Sequence, residues 1–474
     1  MSRFLLLILI LATILITIAP ITFAQDLNFT SSNRDLLGLG NRSLVSSSPQ
    51  TNFLNSITNQ GRGLQINGLP NFDIQDMVVA DFNADSILDI AAISSDITPK
   101  GQGLITILFG SGDGSFSLPK TFPTTKKPLV MAASVTDLVI AEDGLIEVFS
   151  GFLLNTDKVT NRDKLGDPNF GGNGLLTFAG KAIAISLARL DQDGTPDIVL
   201  LSSDNFSGQI EIFLTADNNG SFTLTPNFTF STVGRVNDGT ASQKALAIGI
   251  SNLPDPQTSS IDSDLDIFIA TSSGIEIFEN SLPNFVSQPL LTTNKPISQI
   301  ILQDVTRDNK ADILALSSET NTLLEFPTNN NSYNDILEFP TVAGAISFTL
   351  FNFNNDGIFD LAIISQLNNN SSPIDPINSG NGNIFVLTGT RFGTFQNPLP
   401  LALDSNIVVN NPSIMIAARI DRLTANDDLM IISKATSNKS GGIVLLSSRI
   451  GYKLLPQQVI TNMKSIDFDS IGGV

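Results

Sequence analysis

The clearest structural signal in this chain is the stretch Asp81-Phe-Asn-Ala-Asp-Ser-Ile-Leu-Asp89, followed at once by Ile90-Ala-Ala-Ile-Ser94. Oxygen-bearing side chains stand at loop positions 1, 3, 5 and 9, and the last of them opens an apolar, β-branched run. Such a run predicts a buried β-strand. Because the arrangement returns at residues 304–312 and 352–360, the stretch is one copy of a repeat.

An aspartate opens a short apolar run seven times along the chain, at intervals of about 46 to 69 residues. These strand-opening aspartates are Asp89, Asp137, Asp197, Asp266, Asp312, Asp360 and Asp428. A base unit of about 47 residues with loop insertions suits a four-stranded propeller blade. The sequence therefore predicts an all-β chain, with a seven-bladed β-propeller of four-stranded antiparallel blades over residues 74–460.

The first unit predicts how each blade is built. Its four strands are expected at residues 77–80, 90–94, 104–109 and 120–122. Between the third and fourth strands lies Gly110-Ser-Gly-Asp-Gly-Ser-Phe116, whose glycines permit a positive φ. Phe116 is expected to pack back between neighbouring sheets. The turn recurs at 218–222 and 392–395, and further third strands are expected at 210–214, 275–278, 384–387 and 443–446.

The two ends of the chain differ from the repeat. Residues 1–24 are predicted to be a secretory signal peptide with a cut after Ala24, and an uncleaved membrane anchor is the alternative. Residues 25–73 are rich in Ser, Asn and Gly and predict a flexible leader, with one strand near 64–66. Residues 461–474 repeat the start of a unit, which predicts a ring-closing strand or, less favoured, a truncated eighth repeat.

Composition excludes several classes of site. The chain contains no Cys and no His, which removes disulfides, zinc–thiolate sites and Ser–His–Asp triads. A formal net charge of −19 makes nucleic-acid binding improbable, because no basic stripe is present to neutralise phosphates. After signal cleavage no later stretch is long and apolar enough to span a membrane. Export to the cell surface, the periplasm or the medium is therefore expected, and the oligomeric state is left open.

These residues resemble the bacterial VCBS and FG-GAP repeat family, which includes the integrin α propeller among its relatives. The loop at 81–89 and the turn at 109–116 carry the resemblance most clearly, and the match covers roughly residues 74–460. The resemblance implies a seven-bladed propeller with calcium in the loops between the first and second strands of some blades. It also implies export and a role in adhesion or recognition.

The loop chemistry itself favours calcium, a hard cation that takes six to eight oxygen ligands. Positions 1, 3, 5 and 9 would supply side chains and position 7 a backbone carbonyl. Three complete Ca²⁺ sites are predicted, and the alternative is that Asp and Asn only cap the turns. The predicted ligands are Asp81, Asn83, Asp85, Ile87 and Asp89; Asp304, Thr306, Asp308, Lys310 and Asp312; and Asn352, Asn354, Asp356, Ile358 and Asp360.

A fourth Ca²⁺ site is predicted more weakly in the third blade, with Asp191, Asp193, Thr195 and Asp197. There Arg189 stands at position 1, so its guanidinium could replace the ion by pairing with a loop carboxylate. Before Asp137 the loop is deleted, and before Asp266 and Asp428 it is expanded or interrupted. No metal is predicted in those three blades.

The sequence thus predicts an exported calcium-binding module that recognises an extracellular protein or glycan, with calcium mainly structural. Two alternatives stay open: an extracellular hydrolase or lyase, and a purely structural surface protein. Trp is absent and Tyr occurs only twice, which disfavours a sugar-stacking surface. The 31 Phe residues are expected to pack between blades rather than to bind. No catalytic residue is predicted.

Overall fold

The computed structural model describes residues 54–449 and Lys453–Leu455 with gaps, of which the longest are 97–102, 151–174, 216–221, 237–244, 250–263, 367–382, 402–408, 421–426 and 435–440. These described residues form 31 β-strands and no helix. None of them therefore belongs to a helix of the length and hydropathy that crossing a bilayer requires.

The strands form seven antiparallel sheets, taken here in chain order. Two strands precede the first blade, namely β1 (Leu54–Asn59) and β2 (Leu64–Gly68). The first blade comprises β3 (Phe72–Ala80), β4 (Asp89–Asp96), β5 (Gly103–Leu108) and β6 (Lys120–Pro123). The second comprises β7 (Pro128–Ala133), β8 (Asp137–Glu142), β9 (Leu145–Ser150) and β10 (Leu175–Thr177). The third comprises β11 (Lys181–Ala188), β12 (Asp197–Ser203), β13 (Gly208–Phe213) and β14 (Phe228–Ser231).

The remaining blades repeat this order. The fourth comprises β15 (Leu246–Gly249), β16 (Asp266–Thr271), β17 (Gly274–Ser281) and β18 (Asn284–Ser287), with β19 (Leu291–Thr292) also paired to β17. The fifth comprises β20 (Gln299–Gln303), β21 (Asp312–Ser317), β22 (Thr322–Phe326) and β23 (Leu337–Pro340). The sixth comprises β24 (Ala345–Phe351), β25 (Asp360–Ser365), β26 (Asn383–Leu387) and β27 (Leu399–Pro400). The seventh contains β28 (Pro412–Ala418), β29 (Asp428–Ser433) and β30 (Gly442–Arg449).

The seven sheets close into a ring. The first strand of each blade contacts the first strand of the next, from β3 through β7, β11, β15, β20 and β24 to β28. The seventh blade returns to the first through contacts of β29 and β2 with β3. The chain is therefore a seven-bladed β-propeller, and the predicted fold class is confirmed. Each strand-opening aspartate is the first residue of the second strand of its blade.

The last blade is completed from the start of the chain. Strand β2 lies antiparallel to β30, with Gln65 opposite Val444 and Asn67 opposite Gly442, and β1 follows on its outer side. Strand β31 (Lys453–Leu455) pairs with the end of β30. Two strands therefore lie within 25–73, of which the sequence predicts only the one near 64–66. The predicted ring-closing segment 461–474 and the signal peptide 1–24 lie outside the described residues.

Apolar side chains fill the spaces between neighbouring blades, which explains why the strands are hydrophobic on both faces. The phenylalanines of three strand 3–4 turns pack between neighbouring blades, as the sequence predicts. Phe116 packs with residues of the seventh blade, Phe222 with the second and Phe395 with the fifth. These turns therefore join neighbouring blades on the face of the ring where the strand 1–2 loops also lie.

Candidate functional site

The strand-opening aspartate of the first blade is a buried clamp. Asp89 is fully buried, and its Oδ2 accepts a hydrogen bond from the Phe82 N–H at 2.8 Å. Its Oδ1 accepts another from the Gly110 N–H, just beyond the third strand, at 2.7 Å. One carboxyl group thus ties the strand 1–2 loop to the strand 3–4 turn. Burial raises the pKa of Asp89 to about 8, and the charges of Asp85 and Asp81 act in the same direction.

Both links of the clamp recur at Asp197 and Asp312, and one of the two is present at Asp266, Asp360 and Asp428. The N–H donors that reach the strand-opening aspartates of the other blades are Leu190 (2.8 Å) and Thr215 (2.9 Å) for Asp197; Val305 (2.9 Å), Thr306 (3.0 Å) and Thr328 (2.9 Å) for Asp312; Gly389 (2.9 Å) for Asp360; Asn280 (2.9 Å) for Asp266; and Ile420 (3.0 Å) for Asp428. Sequence reasoning assigned position 9 to calcium and missed this second role. The signal for it was present, because the aspartate remains in blades whose loops are deleted or interrupted.

Four strand 1–2 loops share one backbone turn. Position 6 has a positive φ in the first, third, fifth and sixth blades: Ser86 (64°), Gly194 (82°), Asn309 (66°) and Gly357 (73°). The carboxylate at position 5 accepts the N–H of position 7 in all four, at 2.8 Å for Asp85, 2.7 Å for Asp193, 2.9 Å for Asp308 and 2.8 Å for Asp356. A left-handed residue at position 6 is also the turn that calcium loops of the EF-hand type require.

This turn predicts the effect of substitutions at Asn309. Valine there should lower the free energy of unfolding by about 1–2 kcal/mol, because a β-branched side chain is strained in the left-handed region. Glycine should leave it unchanged or slightly raised. Urea denaturation of the two variants beside the wild type measures both effects. Equal stability of the valine and glycine variants would contradict the turn.

The first-blade loop satisfies its oxygens internally. Asp81 accepts the N–H groups of Asp85 (3.1 Å) and Ser86 (2.7 Å). Asn83 Oδ1 accepts the Asp85 N–H at 3.0 Å, and its Nδ2 donates to Asp85 Oδ2 at 2.9 Å. Turn capping of this kind is the alternative that the sequence leaves open, and it is present. Carboxylate oxygens with one N–H bond retain lone pairs, so these contacts are compatible with a cation.

The fifth-blade loop is built around Asp304. Its carboxylate accepts the N–H groups of Asp308 (3.1 Å) and Asn309 (2.9 Å). Thr306 Oγ1 is buried close enough to Asp312 to lower the pKa of that carboxyl, yet it forms no well-aligned hydrogen bond among the described residues. Burial is the larger influence and raises the pKa of Asp312 overall. This loop also contacts the next one, because Arg307 Nη2 donates to the Gly357 carbonyl.

The sixth-blade loop repeats the first with one difference. Asn354 Oδ1 accepts the Asp356 N–H at 3.1 Å, and its Nδ2 donates to Asp356 Oδ2 at 2.9 Å. Asn352 Oδ1, at position 1, is buried and has no hydrogen-bond donor among the described residues. Its N–H donates to Asp427 Oδ2 of the seventh blade at 3.1 Å. An orphaned oxygen at the first ligand position is what an oxygen-ligated cation would relieve.

The third-blade loop uses hydroxyl groups where the other loops do not. Asp191 Oδ1 accepts the Asp193 N–H at 3.0 Å. Asp193 Oδ2 accepts hydrogen bonds from Thr195 Oγ1 at 2.7 Å and Thr215 Oγ1 at 2.8 Å. These hydroxyls already donate hydrogen bonds to the carboxylate oxygen that a cation would bind, so the third blade stays the weaker of the predicted sites.

The loops fit a hard divalent cation in the type of donor and in the shape of the turn. Across the part of the chain that the structure describes, no three acidic side chains converge as a ready-made metal centre. The predicted sets instead combine carboxylates with Asn, Thr and carbonyl oxygens, which calcium accepts readily. The ligand assignments therefore stay predictions.

Buried glutamates on the third strands were missed from the sequence. Glu147 accepts the Thr125 N–H (3.1 Å), Glu211 the Ala179 N–H (3.5 Å), and Glu276 the N–H groups of Val233 and Gly234, the latter at 2.7 Å. Each donor belongs to the connection that enters the blade from the previous one. The signal was the charged residue at one position of β9, β13 and β17, as in Ile210-Glu-Ile-Phe213.

In the second blade Glu147 of β9 is paired with a second buried acid, Glu142 at the end of β8. Glu142 is fully buried, and its Oε2 accepts the Lys126 N–H at 2.6 Å. Burial raises the pKa of Glu142 to about 8, with the neighbouring Glu147 as the next cause. Burial raises the pKa of Glu211 to about 7, against the Ala179 hydrogen bond. These acids lie at the opposite end of the blades from the oxygen-rich loops.

No family model matches the chain, and no curated protein matches it. Among solved structures it is similar to BBS1N, crystallised with ARL6DN (10% identity, 83% of this chain and 99% of that one, TM-score 0.46). It is also similar to the WD40 domain of Toxoplasma gondii coronin (12%, 80% and 82%, TM-score 0.43) and to Kluyvelomyces marxianus Hsv2 (10%, 83% and 99%, TM-score 0.41). Likenesses of this degree say nothing about function, and the propeller fold rests on the seven sheets.

Proposed function

We propose that this protein is an exported calcium-binding β-propeller that recognises an extracellular partner, with calcium acting mainly on stability. One observation carries the proposal: four loops on one face of the ring share an oxygen-rich sequence, a left-handed sixth position and the same hydrogen bond from position 7 to position 5. Turn capping explains those hydrogen bonds but leaves the buried Oδ1 of Asn352, at position 1 of the sixth-blade loop, without a donor among the described residues. The resemblance to VCBS and FG-GAP repeats, which implies calcium in the strand 1–2 loops of a seven-bladed propeller, supports the same proposal.

Calcium would act by neutralising charge in these loops. Burial is the main cause of the raised pKa of Asp89, and the charges of Asp85 and Asp81 in the same loop add to it. A cation held by residues of the folded loop binds the native state only and stabilises it by mass action. Asp81, Asp304 and Asn352 would lead the ligand sets of the first, fifth and sixth blades. Millimolar affinities would suffice outside the cell.

Chelation should lower the melting temperature. At calcium concentrations 100 times Kd, each site adds about 2.7 kcal/mol to the free energy of unfolding, and excess chelator removes that gain. Differential scanning calorimetry with calcium and with EDTA measures the effect. As a control, the combined variant Asp85→Ala, Asp193→Ala, Asp308→Ala, Asp356→Ala removes the position-5 acid of all four loops, keeps the strand-opening aspartates, and should melt at the same temperature in both buffers. A wild type that melts equally in both, with no ion found by elemental analysis, would refute calcium binding.

Recognition is best supported on the fifth and sixth blades. Of the large apolar side chains that the described residues expose, most lie there: Ile336 (43% exposed), Leu337 (37%), Phe392 (84%) and Leu399 (62%). Leu337 and Leu399 belong to the fourth strands β23 and β27, and Phe392 lies in a strand 3–4 turn; exposed apolar side chains on a rigid scaffold are typical of protein-binding surfaces. With Trp absent and Tyr333 buried, a protein fits better here than a glycan.

A binding screen tests this part of the proposal. Wild-type protein and Phe392→Ser, each with calcium and with EDTA, would be applied to extracellular matrix proteins and to a glycan array. The proposal expects one protein ligand that the wild type binds in calcium and the variant binds at least tenfold more weakly. Glycan binding unaffected by the substitution would place recognition elsewhere.

The hydrolase or lyase alternative needs a carboxyl pair. Glu142 and Glu147 form one, but both accept hydrogen bonds from the Thr125–Lys126 backbone.

A further inference from the structure

Glu325 is a buried acid without hydrogen-bond donors. It lies in β22 between Leu314 and Leu337 on the neighbouring strands, and it is fully buried. Neither of its carboxyl oxygens has a hydrogen-bond donor among the described residues. Burial raises its pKa to about 8, with the charge of Asp312 as the second cause. Leaving both oxygens of a buried carboxyl group unpaired costs free energy, so such a group calls for a partner.

The other buried glutamates of the third strands differ from Glu325 in this respect. Glu147, Glu211 and Glu276 each accept at least one backbone N–H from the connection between blades. Glu325 occupies the opposite face of its strand, since it is one residue later in the register of the blade. Its side chain therefore has no part in the contact that explains the other three.

The surroundings of Glu325 belong to the fifth-blade loop. A β-carbon added at Gly393, in the turn of the sixth blade, would come 2.9 Å from Thr306 Cγ2 and 3.2 Å from Glu325 Oε1. Thr306 is position 3 of the loop, and its own Oγ1 is buried without a well-aligned partner. The orphaned carboxyl of Glu325 and the side chain of Thr306 thus both border Gly393, and Thr306 belongs to the loop that carries Asp304, Asp308 and Asp312. Arg307, the arginine of this loop, donates to Gly357 O.

We propose that Glu325 is a buried carboxylate ligand of the divalent cation held by the fifth-blade loop. The inference rests on the calcium binding proposed above and adds a residue outside the repeat sequence. It makes the fifth-blade site the tightest of the loops, because the number of carboxylates is what tunes calcium affinity. No equivalent acid stands at this position in β5, β13 or β26, where the residues are Ile107, Ile212 and Val386.

The test is a calcium and terbium titration of Glu325→Gln in a background that carries Asp85→Ala and Asp356→Ala, so that the fifth-blade loop dominates. Calorimetry should show calcium affinity falling at least tenfold, and terbium luminescence lifetimes should report about one additional bound water. In EDTA at pH 9 the variant should melt at a higher temperature than its background, because the amide cannot ionise in the buried site. Glu211→Gln removes an equally buried glutamate far from the loops and should leave calcium affinity unchanged.

The outcomes separate this inference from the proposed function. If the background binds calcium and Glu325→Gln binds it equally well, Glu325 is no ligand, and calcium binding by the loops still stands. If neither the wild type nor the background binds either ion, both proposals fall. Should the glutamine variant not fold, Glu325→Asp serves instead, since it keeps the charge but shortens the reach. That variant should also bind calcium more weakly, and unaltered affinity would overturn the inference.

Discussion

Asp312→Ala is expected to lower the free energy of unfolding by about 3–5 kcal/mol even in excess chelator. The substitution leaves the N–H groups of Val305, Thr306 and Thr328 without their acceptor, and each buried orphan costs about 1–3 kcal/mol. Removing a buried acid returns part of that cost, because burial raises the pKa of Asp312 and so disfavours its charged form. Three orphaned donors outweigh that gain. Urea denaturation at constant m measures the loss.

The matched control is Asp308→Ala in the same loop. Asp308 is exposed, and in chelator its loss should cost about 1 kcal/mol or less. Asp266→Ala extends the comparison to a blade for which no calcium site is predicted, where the aspartate still accepts the Asn280 N–H. A clear loss of stability there, without calcium, would show that the clamp acts independently of metal. Equal effects of Asp312→Ala and Asp308→Ala would contradict the clamp.

The sequence predicts the blades because the clamp is a local signal. Each strand-opening aspartate is the first residue of its strand, and the described N–H donors at or beyond the end of the third strand are 14 to 29 residues away. Strand boundaries followed from the same logic, since apolar runs begin where the aspartate ends the loop. A positive φ at position 6 could also be predicted in the two loops where that position is a glycine, Gly194 or Gly357. In the other two loops the residue is Ser86 or Asn309, which does not by itself indicate a positive φ.

Two features of the structure were not predicted from the sequence. One depends on residues far apart in the chain, and the other departs from the usual pattern of polar and apolar residues in a strand. Strand β2 pairs with β30 across nearly the whole chain, and nothing in the Ser- and Asn-rich composition of 25–73 names a partner. The burial of the glutamates in β9, β13 and β17 was not predicted, because these strands alternate apolar and charged residues. A charged residue between two isoleucines, as at Glu211, predicts a strand with one face in water. In a propeller both faces are buried, so the charge meets the adjoining connection instead of solvent.

The buried glutamates Glu211 of β13 and Glu142 of β8 predict an unusual pH dependence. In the absence of divalent cations the free energy of unfolding should fall as pH rises from about 5 to 9. The pKa of Glu211 in the folded protein is about 7 and that of Glu142 about 8, both above the usual 4.5, and burial is the main cause. A carboxyl group whose pKa is raised by folding stabilises the native state below its unfolded pKa. That contribution is lost as pH rises through the folded pKa.

Glu211→Gln isolates one of these groups. The shift of its pKa corresponds to roughly 3 kcal/mol between pH 4 and pH 9, so the variant should be more stable than the wild type at pH 8–9 and should lose less stability between pH 5 and 8. Glutamine keeps a carbonyl oxygen for the Ala179 N–H. Glu319→Gln, at an exposed hairpin, is the control and should follow the wild type at every pH. Urea denaturation in EDTA at intervals from pH 4 to 9 measures the curves. Stability of the wild type that rises between pH 5 and 8 would show that these acids stay ionised inside the ring, which their burial makes costly.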